Sequence, residues 1–401
     1  MTVAGRPAIG EPATIFVIAG EESGDVLGAN LMTALSARLG GRVRFLGVGG
    51  ERMAALGLRS LFPMEEIVLH GVSEVVVRAP RLLWRIQQAA AAIIGADPDA
   101  LVLIDCPGFN LRVGKIVRRR NGRIPIVDYV SPSVWAYMPS RAAAMKRFVD
   151  HILAILPFEP EVHARLGGPP TTYVGHPLTE QLDVLRPGPG ERAALTPGVP
   201  PVLLVLPGSR RSEVQRLMTR FGETVALVVN KVGPVEVVLP AVANLANEIQ
   251  TRATDWPVQP TVVVGENARH AAFRRAHAAL AASGTVTLEL ALAGVPMVVA
   301  YRVDIFLRVL KPFLTAKSIV LANLIAGENA IPEFLDGDAT PRKLADALIP
   351  LISDTPARAR QIAACAAIEQ RMRLPDGTPS GRAADVVLAS MRRRGAIAPP
   401  G

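Results

Sequence analysis

Residues 202–214 read VLLVLPGSRRSEV. Five consecutive apolar residues end at Pro207-Gly208, a hydroxyl and a cation follow, and a helical pattern begins near Ser212. A run that is apolar at every position, rather than at alternate ones, suits a strand covered on both faces, as strands of parallel sheets are. Strand, tight turn and helix form the repeating unit of such sheets.

The unit recurs in both directions. Upstream, ATIFVIAG (13–20), VRFLGVGG (43–50), DALVLID (99–105), IPIVDYVSPS (124–133) and HILAILPF (151–158) read as strands. Helical segments lie between them, among them 24–40 and 81–96. Downstream, VEVVLPAV (235–242), PTVVVGE (260–266), AHAALAAS (276–283) and VPMVVAY (295–301) continue the series, and 340–395 reads as helices. The Pro/Gly-dense RPGPGERAALTPGVPP (186–201) marks a boundary. The expectation is two Rossmann-like, doubly wound α/β domains, 1–185 and 186–360, with helices of 361–401 packing back on the first.

At 401 residues the chain is too long for one ordinary core. Two cysteines, Cys106 and Cys365, are too few for a disulfide framework, and no Cys/His cluster has zinc-ligand spacing. A reducing cytosolic compartment is the simple expectation. The start of the chain runs straight into EESGD (21–25) and does not read as a secretory signal, and 276–301 is too interrupted to span a bilayer. The net charge of +9 fits nucleic acid, an anionic membrane or phosphorylated substrates. Nucleic acid is disfavoured, because the basic segments 117–123 and 391–395 lack interleaved aromatics.

Ligands of open α/β sheets sit beyond the carboxyl ends of the strands, so the residues that follow each strand carry the chemistry. After 202–206, Gly208, Ser209 and Arg210 offer a turn, a hydroxyl and a guanidinium at a helix start, a combination that suits phosphate; a capped turn with a surface arginine is the alternative. Ser283-Gly284-Thr285 repeat the device, and Glu289, one turn on in an apolar helix, suits a ribose diol. After the first strand, Gly20, Glu22 and Ser23 form a carboxylate-bearing turn that would repel a pyrophosphate and suits hydroxyls, with Ser23 or Asp25 able to cap the helix that follows. DPD (97–99) precedes its strand and reads as a turn, not a metal motif. Among the histidines, His176 is the one expected to face a cleft. Asp105 ends the apolar run of 99–105, where an unused charge would be costly.

Eight motifs in order over about residues 13–380 are together specific: AGEESGDVLGA (19–29), IDCPGFN (104–110), YVSPSVWA (129–136), ILPFE (155–159), VGHP (174–177), LPGSR (206–210), ASGTVTLE (282–289) and ANLIAGE (322–328). With them the chain resembles the lipid-A-disaccharide synthase family. The resemblance implies a GT-B glycosyltransferase, two Rossmann-like domains facing a cleft, with neither metal nor cofactor. It implies transfer from UDP-2,3-diacylglucosamine to 2,3-diacylglucosamine 1-phosphate with inversion, a peripheral place on the inner face of the inner membrane, and domain-swapped homodimers. It implies Asp105, Arg210 and Asn323 as catalytic residues, the 208–210 and 283–289 groups as the UDP site, and Gly20, Glu22, Ser23, Asn110 and Ser133 on the acceptor side. Two positions depart from the family pattern: Gly108 stands where a second acid is usual, and Ala322 where proline is. Asp105 is then the expected base for the acceptor's 6-hydroxyl. The segment 65–86, with Trp84 beside Arg78, Arg81 and Arg85, is the expected membrane patch, an ordinary buried helix with a basic edge being the alternative. A UDP-sugar 2-epimerase of the same architecture is the rival enzyme.

Overall fold

The computed structural model describes residues 12–67, 72–301 and 318–393. The chain divides into two compact units, one of residues 1–177 and 374–401, the other Leu178–Arg373.

The first unit alternates strand and helix: β1 (Ala13–Ala19), α1 (Glu22–Arg38), β2 (Val43–Val48), α2 (Glu51–Ala55), α3 (Val72–Ala96), β3 (Ala100–Ile104), α4 (Pro107–Arg120), β4 (Ile126–Tyr129), α5 (Ser140–Met145), β5 (His151–Ala154), α6 (Glu159–Arg165) and β6 (Thr171–Tyr173). The second continues with α7 (Leu182–Leu185), β7 (Val202–Leu206), α8 (Arg211–Val232), β8 (Glu236–Ala241), α9 (Ala246–Ala253), β9 (Thr261–Val264), α10 (Glu266–Arg275), β10 (Ala278–Ala282), α11 (Val286–Leu292), β11 (Met297–Tyr301), α12 (Leu321–Ala326), β12 (Glu333–Leu335), α13 (Pro341–Ile352) and α14 (Pro356–Met372). α15 (Pro379–Arg393) returns to the first unit, where Ala383, Ala384, Val387, Leu388 and Met391 join its core.

Each unit has its own six-stranded sheet, in the orders β2-β1-β3-β4-β5-β6 and β12-β11-β10-β7-β8-β9, and every pairing is parallel. All five residues of β3, β7 and β10 are buried, as strands with helices on both faces must be. In each sheet the direction of winding reverses once, between β1 and β3 and between β7 and β10, and crevices for ligands open at such reversals.

Three expectations are corrected. The first unit ends at Pro177 rather than 185, because the stretch that follows packs on the second unit: Arg274 Nη1 donates to the Val184 carbonyl (2.8 Å). The chain leaves the second unit at Arg373 rather than 360, because Gln361 donates to Met297 O and Arg371 to Ile325 O, holding α14 in place. Asp25 does not cap α1, in whose first turn it lies. Its carboxylate instead accepts from the amides of Gly50 (2.7 Å), Arg52 (2.9 Å) and Met53 (3.2 Å), capping α2 and tying the loop after β2 to the start of α1. Removing it would strand three amides at a nearly closed site. Asp25→Ala is expected to lower stability by about 2–3 kcal/mol, read as a fall in the denaturant midpoint at unchanged slope.

Candidate functional site

Asp105 follows β3 directly and lies at the first unit's sheet reversal. Its φ is 52° and that of Cys106 is 47°, two successive left-handed residues with side chains. Such backbone costs about 1–3 kcal/mol per residue and persists only where the surroundings impose it. Here Asn110, fully buried on α4, imposes it: its Nδ2 donates to the carbonyls of Ile104 (3.0 Å) and Asp105 (2.7 Å). The Asp105 amide donates to Tyr129 O (2.9 Å), and Asp105 Oδ1 accepts from the Cys106 amide (2.8 Å). The turn thus lifts a half-buried carboxylate clear of the strand, with its other oxygen, Oδ2, taking no hydrogen bond from the described residues. Burial raises the Asp105 pKa from its ordinary value, and the Cys106 amide opposes that only partly.

The loop after β1 lies beside this turn. A Cβ on Gly20 would fall 2.3 Å from Cys106 Cβ, so only glycine lets the two loops meet. Glu22 and Ser23, in the first turn of α1 that follows this loop, are exposed. Ser133 is exposed in the turn after β4, where its carbonyl accepts from Ala136 and Tyr137. Gly108 is exposed and a Cβ there would meet open space, so the family's usual second acid would fit but is not used.

Asn110 Nδ2 therefore serves the Asp105 turn through the backbone, while its buried Oδ1 has no hydrogen-bond partner among the described residues. His176 is buried, with 6% exposure, and burial lowers its pKa to about 4; it does not face an open cleft. Two buried acids went unread in the sequence, Asp128 beside Asp105 and Glu159 beside Asp128. Asp128 on β4 is 2% exposed, its Oδ2 has no hydrogen-bond partner among the described residues, and burial pushes its pKa well above the ordinary carboxyl, with the charges of Asp105 and Glu159 adding to the effect. Glu159 is buried and accepts from Trp135 Nε1 (3.3 Å) and the Leu156 amide (3.1 Å), and burial raises its pKa to about 7. An acid inside an apolar run, as in IVDYV, was the available signal for Asp128.

In the second unit Leu206 pairs with Ala281, so the loops after β7 and β10 lie side by side at the reversal. Gly208 has φ 112°, and a Cβ there would fall 2.4 Å from Glu213 Oε2. That oxygen accepts from the amides of Ser209 (3.2 Å) and Arg210 (3.3 Å). The amide cradle read in the sequence as open to phosphate is thus occupied by the chain's own carboxylate, a capping box at the start of α8. The guanidinium of Arg210 remains 75% exposed, with one 3.3 Å contact to Glu213.

The Ser283 hydroxyl donates to Ile319 O (2.8 Å), joining the β10 loop to the segment that leads into α12. Gly284 and Thr285 are exposed beside it. Glu333 accepts from Ser318 Oγ (2.9 Å) and the Ile319 amide (3.0 Å), fixing that segment. Asn323, 2% exposed, donates from Nδ2 to Ile331 O (2.9 Å) and accepts at Oδ1 from the Ile331 amide (2.9 Å). Both ends of its carboxamide are committed to backbone, and the geometry gives it the work of clamping this wall of the site. Glu289 lies on α11 with its side chain 10% exposed and pairs with Arg269.

Two Rossmann-like units, each carrying polar loops at the reversal of its sheet, make the chain a GT-B protein. Solved structures share the fold: Acinetobacter baumannii MurG (TM-score 0.59, 16% identity, 94% of this chain and all of that one) and S. aureus MnaA with UDP (TM-score 0.60, 13% identity, 97% and 99%). A profile of the family described as lipid-A-disaccharide synthetase matches residues 15–385. Lipid-A-disaccharide synthases of Rhodopseudomonas palustris strain HaA2 (52% identity, covering 97% of this chain and 99% of the relative) and Rhodospirillum centenum (43%, covering 96% of each) are similar over nearly their whole length. The chain belongs to the lipid-A-disaccharide synthase family.

Proposed function

We propose that the chain carries out the reaction for which its family is named, joining UDP-2,3-diacylglucosamine to 2,3-diacylglucosamine 1-phosphate and releasing UDP. The observation that carries the catalytic assignment is Asp105, a half-buried carboxylate held on a strained turn by Asn110 with one oxygen uncommitted among the described residues. In this reading Asp105 accepts the proton of the acceptor's 6-hydroxyl as that oxygen attacks the anomeric carbon. The bond from that carbon to UDP breaks, and inversion follows from a single displacement. Arg210 supplies positive charge to the leaving diphosphate. Thr285 and the β10 loop line the same wall, and Glu289 takes the ribose. The 2-epimerase reading shares only the fold, since UDP-GlcNAc 2-epimerase of Neisseria meningitidis is 10% identical. Incubation with both glucosamine lipids separates the two: UDP release that requires the acceptor supports the transferase, and an epimerised sugar formed without acceptor rejects it.

The membrane reading rests on α3. Leu83 and Trp84 are 58% and 56% exposed, and the Arg85 guanidinium stacks 4.4 Å over the Trp84 ring. The basic edge is weaker than the sequence suggests: Glu66 pairs with both Arg81 (2.8 Å) and Arg85 (2.7 Å), and the Arg78 side chain lies outside the described residues. Apolar insertion rather than charge then dominates. Replacing Leu83 and Trp84 together by serine is expected to weaken partition into anionic vesicles by about tenfold or more, with little effect of salt. Among the described residues no helix is long and apolar enough to cross a membrane.

A further inference from the structure

Glu289 is nearly buried on a helix whose other residues, 286–288 and 290–292, carry no charge. Burial there favours the neutral acid. What opposes it comes from the neighbouring helix α10: Arg269 Nη1 reaches Glu289 Oε2 at 3.0 Å. The guanidinium is itself held, 5.6 Å over the Phe273 ring, with Nη2 3.4 Å from His270 Nε2. Glu289 Oε1 takes no hydrogen bond from the described residues. A carboxylate with one oxygen anchored and the other uncommitted is an oriented acceptor for a hydroxyl.

We propose that Arg269 is a positioning residue for nucleotide specificity: it holds Glu289 ionised and in one rotamer so that Oε1 accepts a ribose hydroxyl of UDP. The inference rests on the reading of Glu289 as the ribose ligand. Arg269 itself touches neither ribose nor phosphate in this scheme. Its effect is on the choice between ribose and deoxyribose rather than on diphosphate binding. A hydrogen bond from substrate to a charged partner contributes about tenfold in affinity, so that is the size of the discrimination at stake.

The test is calorimetric titration of the full chain with UDP, 2′-deoxy-UDP and 3′-deoxy-UDP, for wild type, Glu289→Gln, Arg269→Met and Arg269→Lys. Wild type should bind one deoxy analogue about tenfold more weakly than UDP. Glu289→Gln and Arg269→Met should bind the pair nearly alike, by weakening UDP while sparing the analogue, and Arg269→Lys should restore most of the preference. If Arg269→Met keeps the wild-type ratio, with or without a parallel loss for all three ligands, Arg269 serves only the fold and the proposal is overturned. If wild type binds all three ligands alike, the ribose reading of Glu289 is what fails. Arg269 is one-third exposed, and Arg269→Gln provides a second uncharged variant should Arg269→Met be unstable.

Discussion

Asp105→Asn is expected to lower kcat by about 10²–10⁴-fold, the usual contribution of a general base, while leaving UDP affinity unchanged. The carboxamide keeps the shape and can still accept from the Cys106 amide, so the turn should survive. What it loses is the ability to take a proton. Steady-state turnover and UDP titration on the same preparation check both halves. Turnover near wild type would remove Asp105 from the role of base. The pH profile gives a second reading. The base must be ionised to work, and burial raises its pKa above the ordinary aspartate, so activity falls on acidification from a higher pH than an ordinary aspartate near 3.9 would set.

Arg210→Ala is the second large effect, with kcat expected to fall by about 10²–10³-fold, as on removing one donor to developing negative charge. The side chain is mostly exposed and its contact with Glu213 is a surface pair, so the melting temperature should hardly move. Arg210→Lys should recover only part, because an ammonium is a point charge without the guanidinium fork. Equal UDP affinity and turnover in Arg210→Ala would return this residue to the capped-turn reading.

The strands were legible where the sequence runs apolar over several residues, most plainly where both faces are buried. β1, β3, β7, β10 and β11 fall where the apolar runs predict. Of the edges, β2 and β9 fall inside predicted runs, whereas the opposite edge of each sheet was not legible. β6 and β12 are three-residue strands, TTY and EFL, half-buried throughout, and too short to show a pattern. Candidate ligand residues were found because they follow strands, but their partners were not. That Glu213 reaches back into the turn before its own helix, or that Arg269 meets Glu289 twenty residues away, depends on side-chain placement that spacing does not encode. Asn110 and Asn323 carry the same lesson. The resemblance singles them out, but that both grip backbone carbonyls is not written in their motifs.

The last helix has a consequence for how the molecule is made. α15 lies against α1, with Arg38 and Asp385 joined at 2.8 Å across 347 residues, and its apolar face completes the core of a sheet whose strands all emerge from the ribosome before Pro177. The first unit therefore stays open along that flank until residues 379–393 have been made. A nascent chain stalled in the second unit would expose a greasy seam, and loss of residues 379–393 would harm the unit whose strands are translated before them.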